Sequence, residues 1–463
     1  MTRRMRDTSI LAAVAAVVLL GGHGLASGTI PMPIEPSMLP EDGPPAPPQA
    51  TQQRTLCIPA APGGDGPDIP PGQHDLAFGA VWPLTTGIGQ RIAVIDTGVN
   101  PHPRLPNVEA GGDYVGTSDG TEDCDAHGTV VAGLIGAQPQ NGSGFSGAAP
   151  GAVVISIRQS SSAYSVAGRQ GDQNVAENSS GYGNVDTMAM AVRHAADLGA
   201  TVINISEVAC KSASDGINDQ RLGAAIRYAA VDKDVVIVAA AGNVGSGGCK
   251  TQNPPPNPLR PDADPWNSIS TIASPAWYDD YVLTVGSVDP NGAASPFSLG
   301  GPWVDVAAPG TGIVSLHPSE SGLTNGTFGP DGALQAINGT SFAAPYVAAT
   351  AALVRSRYPE LTATQVVHRL ESTAHAPAEG WNPYVGHGVI DPLAAVTAIP
   401  TDSENYPFPA YSTAIAPLPV PPSADNRARD AALLGVAGVG ILGILALLAS
   451  FPIRRKYSER ANS

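Results

Sequence analysis

Ile92-Ala93-Val94-Ile95-Asp96-Thr97-Gly98 is the stretch on which the fold turns. Four apolar residues without polar alternation read as a strand buried on both faces, and the abrupt change to Asp-Thr-Gly reads as its end. The same kind of run recurs at Val153 to Ile157, Thr201 to Ile205, Val235 to Ala240 and Val282 to Val288, with helical patterns at Val185 to Leu198 and Leu222 to Val231. Apolar strands alternating with crossover helices predict an α/β domain, a parallel sheet flanked by helices, over residues 76–399. In such sheets, catalytic groups collect beyond the C-terminal ends of the strands. Asp96 stands there, although an acid at a strand end is more often a turn former.

Three more segments carry candidate chemistry. His127 opens His127-Gly128-Thr129-Val130-Val131-Ala132-Gly133, whose small residues suit a closely packed helix; none of the other histidines has this context. Asn243 follows a buried run in Val238-Ala239-Ala240-Ala241-Gly242-Asn243. Ser341 lies in Asn338-Gly339-Thr340-Ser341-Phe342-Ala343-Ala344-Pro345, at the start of a helix that runs toward Tyr358. Singly, these are a structural histidine, a strand end and a helix cap.

Together, Asp-Thr-Gly, His-Gly-Thr, Ala-Gly-Asn and Gly-Thr-Ser-Phe-Ala-Ala-Pro resemble the signatures of the subtilisin-like serine proteases. The similarity runs from about Trp82 to Val396 and includes Gly386-His387-Gly388-Val389-Ile390-Asp391, which is similar to the family's closing motif. The resemblance implies a catalytic triad of Asp96, His127 and Ser341. Ser341 would attack the carbonyl, His127 would take and return its proton, and Asp96 would orient the imidazole. Asn243 and the Ser341 N–H would donate to the oxyanion; in subtilisin itself, loss of the asparagine donor costs about 2.7–4 kcal/mol. Pro345 reads as lying in the first helical turn, where no hydrogen bond is lost.

The sequence departs from the family pattern in two places. Val130 stands where many relatives have a second histidine. Ile205-Ser206-Glu207-Val208-Ala209 stands where relatives usually have Ser-Leu-Gly-Gly, the strand edge that binds substrate backbone and lines the primary specificity pocket. Substrate preference therefore does not transfer.

Outside this domain, Arg3, Arg4 and Arg6, the apolar run Ile10 to Leu20 and the small residues to Ala26 and Ser27 have the layout of a secretory signal over residues 1–26. The alternative is an uncleaved anchor. Residues 27–75 are rich in proline, including Pro44, Pro45, Pro47 and Pro48, and read as an extended arm without a core. Residues 400–430 read as a second proline-rich linker. Residues 431–451 carry no charge and precede Arg454, Arg455 and Lys456, so they are expected to cross the membrane once, with residues 452–463 as a cytoplasmic tail.

The net charge is −16. Between the signal and the tail, 17 basic and 38 acidic side chains remain, a net −21, which disfavours nucleic acid as a partner. Cys57, Cys124, Cys210 and Cys249 fall in the exported part and suit disulfides. Of the three pairings, Cys57 with Cys124 and Cys210 with Cys249 is preferred, because the latter two follow neighbouring strands. A zinc site is the competing idea, but no two have ligand-pair spacing. Residues 159–184 and 245–269 read as long surface loops. No cofactor is expected, and no motif compels a calcium or other metal site.

The whole layout resembles the mycosins, subtilisin-like proteases of mycobacterial type VII secretion systems. That resemblance implies a cell-membrane protease whose catalytic domain is outside the cytoplasm. Its partners would be exported protein substrates and components of the secretion membrane complex. A rival reading makes the chain mainly an assembly component of that complex, with dispensable proteolysis.

Overall fold

The computed structural model describes residues 29–66, 68–168, 181–260, 262–329, 332–398 and 440–448. Seven strands make the central sheet: β1 Arg91–Asp96, β2 Val108–Asp113, β3 Val153–Arg158, β4 Val202–Ile205, β5 Val236–Ala240, β6 Val282–Val288 and β7 Val306–Pro309. Their spatial order is β7-β6-β5-β4-β1-β3-β2, and every neighbouring pair is parallel. Parallel pairing puts all the C-terminal ends on one side. Successive residues of each strand face opposite ways. Ile92 and Val94 therefore join Val236, Val238, Leu283 and Val285 in one core layer, while Ala93 and Ile95 join Ile203, Ile205, Ile237 and Ala239 in the other.

The first layer is covered by α1 His127–Gly136 and α4 Thr340–Arg357, the second by α2 Val185–Asp197 and α3 Gln220–Arg227. Helix α4 is buried continuously from Thr340 to Val354. A helix enclosed on all sides needs small residues to lie against a sheet, and Ala343, Ala344, Ala348, Ala349, Ala351 and Ala352 supply them. Helix α5, Ala363–Thr373, starts with the expected capping box of Thr362 and Gln365.

The proline-rich arm builds no core of its own, but it is more than an extended tether. Thr51–Gln53 pairs with Tyr164–Val166, and Ala60–Gly63 pairs with Leu323–Phe328. These short strands are stable only because the catalytic domain provides their partners. Further along, Gln73 is buried and its Nε2 donates to the Ser146 carbonyl at 2.8 Å.

Two disulfides join Cys57 to Cys124 and Cys210 to Cys249. The first staples the arm to the loop before α1. The second joins segments that follow β4 and β5, which are neighbours in the sheet. No free cysteine remains to bind a metal.

Residues 399–463 form a separate unit, in which 440–448 are helical. Among the described residues, no helix is long and apolar enough to cross a membrane. The expected signal, linker and tail, and most of the expected span at 431–451, lie outside the described residues.

The Cys57–Cys124 bond closes a loop of 67 residues by sequence separation. Replacing both cysteines with serine is expected to cost about 2–5 kcal/mol of stability, read by chemical denaturation of the oxidised protein. Unchanged stability would mean that the arm's strands hold it without the bond.

Candidate active site

Strand β1 delivers Asp96 to the sheet's C-terminal edge with none of its surface exposed. Its Oδ1 accepts from the Thr97 N–H at 2.7 Å and stands 2.7 Å from His127 Nδ1. Its Oδ2 is buried and has no hydrogen-bond partner. His127 is the first residue of α1, and the approach of that helix explains the glycines around it. A Cβ on Gly128 would lie 2.0 Å from the Gly98 carbonyl oxygen, and one on Gly98 would lie 2.1 Å from that of Glu122. Both positions therefore exclude a side chain.

Asp123 ties the two segments together. It accepts from Thr97 Oγ1 at 2.9 Å and from the Thr129 N–H and Oγ1 at 2.9 and 2.7 Å. Thr97 Oγ1 in turn accepts from the Gly128 N–H at 2.9 Å. The threonines of Asp-Thr-Gly and His-Gly-Thr thus serve as a clamp. Asp123 belongs to no motif legible in the sequence; its local signal is an acid four residues before His127.

Ser341 is the second residue of α4 and is 8% exposed. The ring of the next residue, Phe342, lies 5.0 Å from the His127 ring, so the two helix starts meet. No hydrogen bond joins Ser341 Oγ to His127 among the described residues, a separation that substrate-free sites often show. Asn243 lies beyond β5, and its Oδ1 accepts from the Thr340 N–H at 2.9 Å and from Thr340 Oγ1 at 3.2 Å. That anchor leaves the amide Nδ2 available beside the start of α4.

Pro345 corrects the sequence reading. It is the sixth residue of α4, beyond the first turn, so its missing N–H deprives the Ser341 carbonyl of its helical donor. Ser206 Oγ makes good the loss by donating to that carbonyl at 2.8 Å, and it accepts from Asn204 Nδ2 at 2.9 Å. The stretch just after β4 therefore also fixes the backbone of Ser341.

Glu207 follows immediately. Donor atoms of Asp96, His127 and Glu207 all lie within 4.8 Å of one another. Such a set could chelate a cation, but Asp96 and His127 already satisfy each other. Burial disfavours the His127 cation, yet Asp96, Glu207 and Asp123 outweigh it and push the imidazole up to about 9. Burial, reinforced by the Asp96 charge, pushes Glu207 up to about 7; burial pushes Asp123 up to about 6.

The arrangement sets an imidazole between a buried carboxylate and the start of the serine's helix, a geometry that can serve acyl transfer. A model of the subtilase family matches residues 87–388. The chain belongs to the subtilase family. It is a serine endopeptidase. Among its relatives, Mycosin-4 of Mycobacterium tuberculosis is 49% identical over 453 residues, 95% of each chain. The solved MycP3 protease from the type VII (ESX-3) secretion system is 46% identical, with a TM-score of 0.74 over 80% of this chain and 100% of that one. A chain in the intact ESX-5 inner membrane complex is 44% identical, with a TM-score of 0.74 over 91% of this subtilase and 99% of that chain.

Ser206→Ala is expected to leave the buried Ser341 carbonyl without a donor and to destabilise this subtilase by about 1–3 kcal/mol. The denaturant midpoint checks this. A midpoint equal to that of the parent would show that the proline's gap is closed in another way.

Proposed function

We propose that this subtilase is a membrane-anchored serine endopeptidase of the mycosin type that processes exported proteins beside a type VII secretion complex. Ser341 is the nucleophile, and His127 removes its proton and then protonates the leaving amine. Asp96 holds the imidazole through Nδ1 and stabilises its cation, while Asn243 Nδ2 and the Ser341 N–H receive the oxyanion at the start of α4. The observation that carries this reading is the 2.7 Å contact between His127 Nδ1 and the buried Asp96 carboxylate, next to the helix that begins with Ser341.

Residues 1–26 act as the export signal, 431–451 as the single membrane span and 452–463 as the cytoplasmic tail. Residues 76–399 are held outside the cytoplasm on the linker 400–430. The order of charge and hydropathy supports this topology. Similarity over 91% of this chain to a chain within an ESX-5 inner membrane complex supports the partner. The same similarity favours a second reading, in which assembly of the complex is the main role and proteolysis is dispensable.

Three outcomes are expected. A fluorophosphonate probe labels the parent protein but not Ser341→Ala; labelling that persists in the variant removes the nucleophile assignment. Because only the neutral imidazole is a base, kcat/KM is expected to rise with pH toward the His127 value near 9. A plateau already reached at pH 7 would contradict that field. Finally, secretion should fail in both a Ser341→Ala strain and a deletion strain if proteolysis is the main role. Secretion that survives the substitution but not the deletion would establish the assembly reading.

A further inference from the structure

The acids around His127 outnumber the cations available to them. Asp96 Oδ1 bonds Thr97 and His127, and Asp123 bonds Thr97 and Thr129. Asp125 accepts from Ser161 Oγ at 2.5 Å and the Ser162 N–H at 2.9 Å. Apart from His127, these partners are neutral. Glu207 is steadied by Ser160 and has no lysine or arginine ion pair among the described residues. The Glu207 carboxylate is partly exposed, and the buried Oδ2 of Asp96 makes no hydrogen bond among the described residues.

Glu207 also stands at a telling place. It is the second residue after β4, at the same C-terminal edge of the sheet as Asp96. Its carboxylate lies within 4.8 Å of donor atoms of Asp96 and His127. Since His127 must touch the scissile atoms and successive Cα atoms are about 3.8 Å apart, a side chain reaching Glu207 belongs to a residue one or two positions from the cleaved bond.

We propose that Glu207 is a specificity-determining residue that binds a lysine or arginine side chain on the acyl side of the scissile bond. The inference rests on the reading of Ser341 and His127 as the catalytic pair. A cation docked on Glu207 has a second effect. Without it, the acids around His127 favour the imidazolium, which is no base; with it, one of those acids is neutralised and the imidazole is freed to accept the Ser341 proton. Recognition and activation would then be a single electrostatic event.

Matched peptidyl diphenyl phosphonates test this without knowledge of the natural substrate. Lysine or norleucine is placed at the first or second residue before the phosphorus, and labelling rates of the full-length protein in detergent are compared. A charge-assisted contact of about 1.5–3 kcal/mol predicts roughly 10- to 100-fold faster labelling by a lysine probe at one position. That preference should collapse to within a few fold in Glu207→Gln, and the acid limb of its labelling rate should move to lower pH. Equal rates for lysine and norleucine at both positions in the parent overturn the proposal, and that result requires no variant to fold. So does an undiminished lysine preference in Glu207→Gln. Failure of a generic fluorophosphonate to label Ser341 would instead overturn the catalytic reading beneath it.

Discussion

A carboxyl group with no exposure needs hydrogen-bond partners, and Asp96 finds them in an imidazole and a backbone N–H that converge on its Oδ1. That requirement organises the surroundings. The loop after β1 must turn at Gly98, α1 must begin close enough to bring Nδ1 within 2.7 Å, and Gly128 must lack a side chain to permit it. Asp123 then locks the loop and the helix to each other through two threonines. The parallel sheet makes this economical, because β1, β4 and β5 end on the same side and bring Asp96, Glu207 and Asn243 toward one place.

The start of α4 carries a comparable tension. Its continuous burial lets the backbone of Ser341 be fixed by contacts from several directions. Pro345 breaks the hydrogen-bond ladder one turn inside, and Ser206 repairs it from the strand edge. The residue next to that repair, Glu207, also enlarges the negative field on His127. The backbone of Ser341 and the field on His127 are therefore set by adjacent residues of one segment, the stretch just after β4.

Much of this was legible in sequence, for identifiable reasons. Continuous apolar runs ending in polar turns mark strands buried on both faces, and they located β1, β3, β4, β5 and β6. Thr362 and Gln365 announced α5 through local hydrogen bonds alone. Asp96, His127, Asn243 and Ser341 stood out because each sits at a strand end or helix start within a short motif. The short strands of the arm were not legible, since Thr51–Gln53 and Ala60–Gly63 owe their form to distant partners rather than to their own pattern. Asp123 escaped for the same reason: its role depends on Thr97 and Thr129 meeting in space. Pro345 was misplaced because the motif fixes where the helix begins but does not reveal which carbonyl goes unpaired.

At the centre of the site is an imidazole whose Nδ1 is held by Asp96 amid an excess of acids. NMR of the Nδ1 proton and ring of His127, in histidine-labelled protein, observes that state directly. A strongly deshielded Nδ1 proton and a titration near pH 9, both lost in Asp96→Asn, are the predicted result. An imidazole that titrates at or below its ordinary value near 6.5, indifferent to Asp96→Asn, would contradict it.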